Sequence, residues 1–287
     1  MTILQAILLG VLQGATEFLP VSSSGHLVLV PWLFGWSSNP SLAFDVIVHW
    51  ATALAVIAYF WRDWVTLLRA GLRAVPALVH ALSPKTRRPN DRDLWDTPET
   101  RLLALLVLAT VPAAVAGALF EDFFERMFAR PAAAAAFLLV TAAILALSEW
   151  LGRRQRDMRS LTWKDALFVG IAQALAIFPG LSRSGATISA GMARGLRRGE
   201  AARFSFLLST PIIIGAGVFS LLDLSEAGAL ASQAGVLIAG FLAAAVVGLL
   251  VIHLLLRFVQ RRPLYVFAVY CAAMGLAALI VALVRGG

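Results

Sequence analysis

Apolar residues dominate the chain in six long stretches, separated by shorter polar or charged segments. A transmembrane helix needs about 20 apolar residues, so each stretch predicts one crossing of a membrane. Two further apolar regions, residues 2–36 and 164–195, are split by Pro, Gly and Ser into arms of roughly a dozen residues, which are too short to cross. We therefore predict two re-entrant helical hairpins and six transmembrane helices, at residues 44–61, 101–119, 131–151, 203–222, 234–256 and 264–284.

The two split regions contain the same sequence pattern. Residues 10–25 are GVLQGATEFLPVSSSG, residues 170–185 are GIAQALAIFPGLSRSG, and the offset between them is a constant 160 positions. Each is an apolar stretch that runs into Pro, Gly and Ser, which indicates an internal repeat. The identical pairs are Gly10/Gly170, Gln13/Gln173, Phe18/Phe178, Ser22/Ser182, Ser24/Ser184 and Gly25/Gly185.

The composition places the whole chain in a membrane. The 287 residues are 60% hydrophobic and 14% charged, whereas soluble domains carry about 25% charged residues. We predict an all-α polytopic membrane protein that forms a single membrane domain over residues 1–287. The formal net charge is +8, but the basic residues flank apolar stretches, which is typical of membrane orientation and argues against a nucleic-acid partner. The single cysteine, Cys271, excludes an intrachain disulfide.

The charge pattern predicts the topology. Basic segments stay in the cytoplasm, and most Lys and Arg residues fall in four patches, at residues 62–101, 152–164, 194–203 and 257–262. The acidic loops 120–130 and 223–233 are then outside. With this arrangement the first hairpin enters the membrane from outside, the second enters from inside, and both chain termini lie on the outer side.

Each half of the chain then consists of a re-entrant hairpin plus three transmembrane helices, over residues 1–151 and 164–287. An odd number of crossings inverts the second half, so we predict an inverted-topology repeat, in which broken helices form a site near the membrane midplane. The two hairpin loops should therefore meet around a polar site. Residues 62–100 are predicted to be a basic cytoplasmic surface segment, with an amphipathic helix to about residue 82 and a polar loop after it.

Arg183 is the basic residue that this topology puts inside a re-entrant loop. A charge at the centre of a membrane helix costs about 2.5–3.5 kcal/mol on insertion scales and is by default a functional candidate. Arg binds phosphate or carboxylate in a bidentate manner, and a Gly/Ser turn that opens a helix offers N–H groups to an anion. The alternative is a structural ion pair with Glu17. We predict that Arg183 forms an anion-binding site together with Ser182, Ser184, Gly185 and Thr187.

The first loop carries residues suited to nucleophilic or general acid–base chemistry. Ser22, Ser23 and Ser24 supply hydroxyls, and His26 follows two residues later. We predict catalytic roles for Ser23 and His26 and substrate contacts for Ser22, Ser24 and Gly25. The alternative is that these Ser side chains cap the helix that starts near Gly25.

Glu17 and Gln13 are four residues apart, so both lie on one side of a helix. A carboxylate and an amide oxygen are hard ligands that suit Mg²⁺ or Ca²⁺, which often bind through one or two carboxylates plus substrate phosphates. We predict that this pair holds a divalent cation. The alternative is again that Glu17 pairs with Arg183.

Three other ionisable residues are assigned to the membrane interface. Asp45 and His49 lie four residues apart at the outer end of a transmembrane stretch, where we prefer an interfacial pair over a role in the site. Glu149 lies near a cytoplasmic end and is expected to reach the interface.

The segments QGATEFLPVSSSGHL (13–27) and PGLSRSGATISAG (179–191) resemble the two signature segments of the undecaprenyl pyrophosphate phosphatase family of the bacitracin-resistance type. The resemblance covers nearly the whole chain. It implies a multi-pass phosphatase of the bacterial inner membrane that converts undecaprenyl pyrophosphate to undecaprenyl phosphate for cell-wall synthesis. It also implies a divalent cation and a site reachable from the outer leaflet, in contact with membrane lipids.

The resemblance assigns roles to residues of both segments. Gln13 and Glu17 match the acidic segment, Ser23 and His26 match the residues that act on phosphorus, and the matches to the phosphate-binding segment are Ser182, Arg183 and Thr187. Two mechanisms stay open: attack by Ser23 with His26 as base, or a His26 that activates water or attacks phosphorus itself. A transporter of polyprenyl phosphate that uses the same anion-binding site is the alternative function, and a homodimer is one assembly open to such a chain.

Overall fold

The computed structural model describes residues 1–36, 41–82, 97–152, 155–224 and 233–285, with side chains given for these ranges except at 76–82 and 221–224. Within these residues the chain is all-helical apart from one isolated bridge between Arg156 and Leu196. A short 3₁₀ turn covers Met158–Ser160. The twelve α-helices are α1 (Ile3–Thr16), α2 (Ser23–Leu33), α3 (Leu42–Tyr59), α4 (Trp61–Leu82), α5 (Pro98–Leu119), α6 (Glu121–Phe128), α7 (Pro131–Leu151), α8 (Trp163–Leu175), α9 (Arg183–Ala193), α10 (Arg198–Leu224), α11 (Ala234–Arg261) and α12 (Tyr265–Arg285).

The prediction of six transmembrane helices is confirmed in number and position. Among the described residues, six helices (α3, α5, α7, α10, α11 and α12) are long and apolar enough to cross a membrane. Helix α4 confirms the amphipathic segment after residue 61. The predicted loop at 120–130 is wrong in part, because it contains the helix α6. Most of the predicted loops at 83–98 and 223–233 lies outside the described residues.

The two short arms α1 and α8 begin in the same way. Thr2 caps α1, and its hydroxyl accepts from the N–H of Gln5 while the Gln5 side chain accepts from the N–H of Thr2. Thr162 and Asp165 form the same reciprocal pair at the start of α8, again 160 positions later. Such a capping box satisfies two backbone donors that a helix start leaves free.

The same two arms pack closely on long helices. Helix α1 lies against α11, and α8 lies against α5. A Cβ atom on Gly10 would be 2.4 Å from the Gly240 carbonyl oxygen, and one on Gly170 would be 2.5 Å from the Ala109 carbonyl oxygen. The backbones therefore touch where the paired glycines of the repeat lie, and a larger residue at either position would push the arm away.

Apolar side chains cover the outside of the helical bundle as well as its core. On α1 the exposed side chains include Leu4, Leu8 and Val11, and α11 exposes Ile238, Leu242 and Val246. Both sets recur every three or four residues, so each helix presents one apolar face outward. A continuous apolar exterior of this kind suits hydrocarbon and not water.

At one end of the molecule Asp165 joins three chain segments. Its fully buried carboxylate accepts hydrogen bonds from Arg156 Nη2 at 2.8 Å and Arg194 Nε at 2.6 Å. Burial acts to raise the pKa of Asp165, but hydrogen bonds from Arg156, Thr162 and Arg194 outweigh it and hold the pKa below its ordinary value. The carboxylate therefore stays ionised and ties the start of α8 to the end of α9.

The same end gathers the basic patches of the sequence. Glu149 accepts from Arg198 Nε at 2.8 Å, from Arg198 Nη2 at 2.6 Å and from the N–H of Leu264 at 2.8 Å. Arg203 Nη2 lies 2.5 Å from Asp63 Oδ1. The described residues of the four basic patches therefore lie close to one another. The assignment of Glu149 to the membrane interface is wrong, since its side chain is buried and ion-paired within the protein.

Gly180 is the position where we expect a small substitution to disturb the fold most. Its φ is +91°, and a Cβ atom there would lie 2.0 Å from the carbonyl oxygen of Ala134. We predict that Gly180→Ala destabilises the protein by at least about 2 kcal/mol, because it combines a left-handed backbone with a clash against backbone. Gly117→Ala on α5, where nothing lies within 4 Å of an added Cβ, should instead stabilise by about 0.5–1 kcal/mol. Thermal unfolding midpoints in detergent test both, and equal midpoints for the two variants would contradict the prediction.

Candidate active site

The loops that follow α1 and α8 touch each other inside the helical bundle. A Cβ atom on Gly25 would be 2.9 Å from Gly180 Cα, and Ser184 Oγ donates to the carbonyl oxygen of Leu19 at 3.1 Å. The prediction that the two loops meet is therefore confirmed. The paired loops bring together residues that are about 160 positions apart in the sequence.

Each loop is held by the last transmembrane helix of the other half of the chain. On α7, Thr141 Oγ1 donates to the Gly180 carbonyl oxygen at 2.9 Å. On α12, Cys271 Sγ donates to the Pro20 carbonyl oxygen at 3.7 Å. Pro20 and Gly180 are equivalent at the offset of 160, so Thr141 and Cys271 occupy equivalent places on their helices.

Glu17 is the centre of the polar cluster between the loops. It follows the last residue of α1, and 4% of its side chain is exposed. Its Oε1 atom lies 2.5 Å from the Nη2 atom of Arg183, and Arg183 is the first residue of α9. Its Oε2 atom accepts from Gln13 Nε2 at 2.9 Å and from the hydroxyl of Ser23. The predicted contact between Glu17 and Arg183 is therefore present. It is an ion pair, which the sequence analysis gave as the structural alternative for both residues.

His49 is a member of this cluster, although the sequence interpretation preferred an interfacial pair over a role for it in the site. Its Nε2 atom lies 3.7 Å from Glu17 Oε2, and its Nδ1 atom is 2.7 Å from the backbone oxygen of Asp45. The preference for an interfacial pair with Asp45 is thus corrected, because His49 faces the site. A His four residues after an Asp on an apolar helix resembles an interface anchor, and only the packing of α3 beside α1 reveals its partner.

The cluster is accessible from the side of Arg183 and His49. Their side chains are 19% and 30% exposed, against 4% for Glu17. Arg183 Nη1 donates to the Ser209 carbonyl oxygen at 3.2 Å, which fixes one end of the guanidinium. A guanidinium has five N–H donors, so these two contacts leave donors for an incoming anion. Polar groups that converge at the accessible edge of a buried cluster are what a binding site requires.

Most of the predicted substrate-binding hydroxyls have structural partners in this conformation. Ser22 caps α2 by accepting from the N–H of Gly25 at 3.2 Å, and Ser182 caps α9 by accepting from the N–H of Gly185 at 3.0 Å. Ser24 Oγ lies 3.3 Å from the Ser22 hydroxyl. The capping alternative thus applies to Ser22, whereas the hydroxyl of Ser23 is directed at Glu17.

Thr187 and Ser184 strengthen the start of α9. Thr187 Oγ1 donates to the Arg183 carbonyl oxygen at 2.8 Å and lies 2.6 Å from the hydroxyl of Ser205 on α10. Ser184 links α9 to the first loop, as described above. These contacts fix the first turn of α9, whose leading N–H groups have no acceptor within the helix. The N-terminus of α9 and the Arg183 side chain therefore lie at the same place in the structure.

His26 lies beside this cluster, but its ring is directed elsewhere. It is 1% exposed. Its Nδ1 atom is 2.7 Å from the Ser22 carbonyl oxygen, and its Nε2 atom is 2.7 Å from the hydroxyl of Tyr270 on α12. Tyr270 is a residue that sequence reasoning missed, because a Tyr in an apolar helix normally marks a membrane interface.

Gln13 offers an oxygen to a cation. Its side chain is 0% exposed, and within the described part of the chain its Oε1 atom has no hydrogen-bond partner. The described residues contain no group of three or more His, Cys, Asp or Glu side chains placed to hold a metal. An Mg²⁺ or Ca²⁺ ion held here would take Gln13 Oε1 and an oxygen of Glu17, and substrate phosphates and water would supply its further ligands.

The family described as bacitracin resistance protein BacA matches residues 6–277. The chain belongs to this family. The match includes both hairpin loops and all six transmembrane helices up to residue 277, so it confirms the resemblance seen in the two signature segments.

Three relatives show how far the similarity extends. Proteins named undecaprenyl-diphosphatase from Rubrobacter xylanophilus, Elusimicrobium minutum and Methanosphaera stadtmanae are 45%, 44% and 42% identical to this chain. The aligned regions cover 98%, 99% and 98% of this chain and 98%, 100% and 99% of those proteins, respectively. The similarity therefore involves the complete length of the relatives and not a shared segment.

Proposed function

We propose that this chain is an integral-membrane undecaprenyl-diphosphatase, which hydrolyses undecaprenyl pyrophosphate to undecaprenyl phosphate and inorganic phosphate. Family membership and the names of full-length relatives support this activity. The observation that carries it to this chain's own residues is the arrangement at Glu17. One carboxylate there contacts both the Arg183 guanidinium and the Ser23 hydroxyl.

Binding of the diphosphate depends on Arg183 and on the start of α9. The guanidinium and the leading N–H groups of the helix attract the phosphate oxygens, because both offer fixed donors at the edge of a buried polar cluster. Phosphoryl transfer spreads negative charge over the equatorial oxygens in the transition state, and positioned donors stabilise that charge. Ser182, Gly185 and Thr187 keep this turn in place, and Ser184 joins it to the first loop.

Ser23 is the nucleophile that the geometry favours. Its Oγ attacks the terminal phosphorus, the bond from phosphorus to the bridging oxygen breaks, and undecaprenyl phosphate leaves. Glu17 Oε2 takes the Ser23 proton, since it already accepts that hydroxyl. Water then hydrolyses the phosphoserine, which restores Ser23 and releases inorganic phosphate. Glu17 replaces His26 as the base in this version of the mechanism.

The rival role of His26 is compatible with its position but not with its present contacts. Both ring nitrogens are already within hydrogen-bond distance of other groups. A His26 that activates water or attacks phosphorus would first have to release the hydroxyl of Tyr270. Trapping of a phosphorylated residue separates the two mechanisms, as set out in the Discussion.

A divalent cation held by Gln13 and Glu17 is part of the proposal. When bound, it neutralises charge on the phosphate oxygens. Its support is the buried, unpartnered oxygen of Gln13 next to a carboxylate, within the described residues. A single carboxylate implies that the substrate itself supplies many of the ligands.

We predict that changes at Gln13 shift the metal dependence of the reaction. Gln13→Leu should raise the Mg²⁺ concentration for half-maximal rate by about tenfold, and Gln13→Glu should lower it by a similar factor, because ligand charge and number tune the affinity of such sites. Gln173→Leu is the matched control, since Gln173 lies at the equivalent position of α8 and contacts the Ala109 carbonyl oxygen. Identical Mg²⁺ titrations for all variants would remove Gln13 from the cation site.

The arrangement in the membrane is also proposed. The described residues of the four basic patches lie close to one another, which supports a cytoplasmic location for that end of the molecule and an outer location for both termini. The equivalent capping boxes, glycine contacts and loop contacts support an inverted-topology repeat over residues 1–151 and 164–287, each half with a re-entrant hairpin. The family supports the bacterial inner membrane as the location, with the lipid diphosphate and membrane lipids as partners and a homodimer as a further assembly to test.

Phosphate release in detergent tests the activity. Purified protein is mixed with undecaprenyl pyrophosphate in micelles, with Mg²⁺, with Ca²⁺ or with chelator, and inorganic phosphate is measured. Release that depends on the cation is expected. The transporter alternative is not favoured by the relatives, and it predicts no release in micelles, where no membrane is present to cross.

A further inference from the structure

The tautomer of His26 follows from its two contacts. The Ser22 carbonyl oxygen, 2.7 Å from Nδ1, can only accept a hydrogen bond, so Nδ1 carries the proton of the neutral ring. Nε2 is then an acceptor, and the hydroxyl of Tyr270 donates to it at 2.7 Å. The two ring planes are parallel within 8°, with centroids 5.6 Å apart. Tyr270 therefore fixes both the orientation and the tautomer of the imidazole.

His26 in turn holds a strained turn. Ser22 has φ +71° and is the only non-glycine residue with a positive φ in the part of the chain that the structure describes. Such a conformation is energetically unfavourable for a residue other than glycine and persists only where its surroundings hold it. The Ser22 carbonyl oxygen accepts from both Nδ1 and the backbone N–H of His26. The residue after this turn is Ser23, whose hydroxyl meets Glu17.

The second half of the chain lacks the whole arrangement. Ser182, the equivalent of the strained serine, has φ −64°. Ala186 stands at the position that corresponds to His26. Tyr270 directly precedes Cys271, the α12 residue that donates to the first loop. The equivalent residue on α7 is Thr141, and Val140 directly precedes it. The positive φ, the imidazole and the phenol thus occur together in one half and are absent together from the other, although both halves cap their second helix with serine.

We propose that Tyr270 is a positioning residue for the hydrolysis: it fixes His26, which holds the Ser22 turn and so directs the Ser23 hydroxyl at Glu17. This inference rests on the proposed function and deepens it. The coincidence of three features in the half that carries the nucleophile argues against a purely structural role, because the other half builds the same cap without them. Tyr270 acts through His26 and makes no contact with the reacting atoms.

Kinetics of Tyr270→Phe test the proposal against Tyr265→Phe, a matched change on the same helix. We expect kcat of Tyr270→Phe to fall by about 10- to 100-fold, because small misplacements of a reacting group have effects of this size. KM should stay close to the wild-type value, since the phosphate-binding residues are untouched. Tyr265→Phe should keep both constants. Wild-type kcat in Tyr270→Phe, or a rise in KM alone, would overturn the proposal.

A double-mutant cycle with His26→Ala separates positioning from general loss of stability. If Tyr270 acts through His26, Tyr270→Phe should reduce kcat no further once the imidazole is gone. Losses that multiply in the double variant would contradict the proposal, because a fold defect or an independent role adds to the first change. Failure of the proposed function has a different result, since the wild-type protein and Tyr265→Phe would then release no phosphate at all.

Discussion

Arg183→Ala is expected to lower kcat/KM for undecaprenyl pyrophosphate by about 10³-fold or more, the range found for an arginine that stabilises phosphoryl transfer. The side chain reaches the phosphates from the first turn of α9 and is fixed by Glu17 and the Ser209 carbonyl oxygen. Its removal takes away the positive charge of the site and leaves Glu17 as a buried carboxylate without its counter-ion. Phosphate release from micellar substrate measures the effect.

Two further variants make this result interpretable. Arg183→Lys keeps the charge but not the planar fork of donors, so it should recover only part of the rate. Arg203→Ala breaks an ion pair with Asp63 of the same length, 2.5 Å, at the end of the molecule that gathers the basic patches, and it should keep the wild-type rate. Near-wild-type activity in Arg183→Ala would leave the pair with Glu17 as a purely structural contact between the two loops.

Ser23→Ala should abolish turnover to a comparable extent, by about 10³-fold or more, because loss of a nucleophile removes the covalent route. Its hydroxyl is directed at Glu17 and has no helix-capping role, unlike that of Ser22. Rapid acid quench of the wild-type reaction with substrate labelled on the terminal phosphate should trap a phosphoserine, and peptide mapping should locate it at Ser23.

Ser220→Ala is a suitable control, since that hydroxyl donates to the Ala216 carbonyl oxygen within α10 and lies outside the polar cluster around Glu17. It should retain the rate and the labelled intermediate. Label on His26, or rapid turnover by Ser23→Ala with no labelled protein, would favour the mechanism in which His26 or an activated water attacks phosphorus. Either finding would also change the role of Glu17, which would then position Arg183 and the cation only.

The transmembrane helices could be predicted closely because their signal is local. Each is a long apolar stretch with charged ends, and membrane insertion depends on those same properties. The pairing of the two loops could also be predicted, because the repeat at an offset of 160 residues indicates two equivalent loops and the charge pattern predicts that they enter the membrane from opposite sides. Arg183 stood out for a similar reason, as a charge in an apolar segment.

The partners of the site residues were harder to predict, since they depend on distant elements. His49 and Tyr270 lie on apolar helices, where His and Tyr commonly mark interfaces, and nothing near them in sequence names Glu17 or His26 as the partner. The strained φ of Ser22 was equally hidden, because the second loop has the same Ser at the same place with an ordinary backbone. The capping boxes at Thr2 and Thr162, by contrast, have a sequence pattern that could have been recognised.

Each loop is held by a helix from the other half of the chain, and this has a consequence for biogenesis. The Pro20 carbonyl oxygen and His26 are contacted by α12, which is synthesised after α1 to α11. Synthesis proceeds from the N-terminus, so the loop that carries Ser23 waits for about 240 further residues before these contacts can form. A chain truncated before Tyr265 would keep Ser23 and Arg183 yet be catalytically silent, and co-expression of a separate fragment that carries α12 should restore activity.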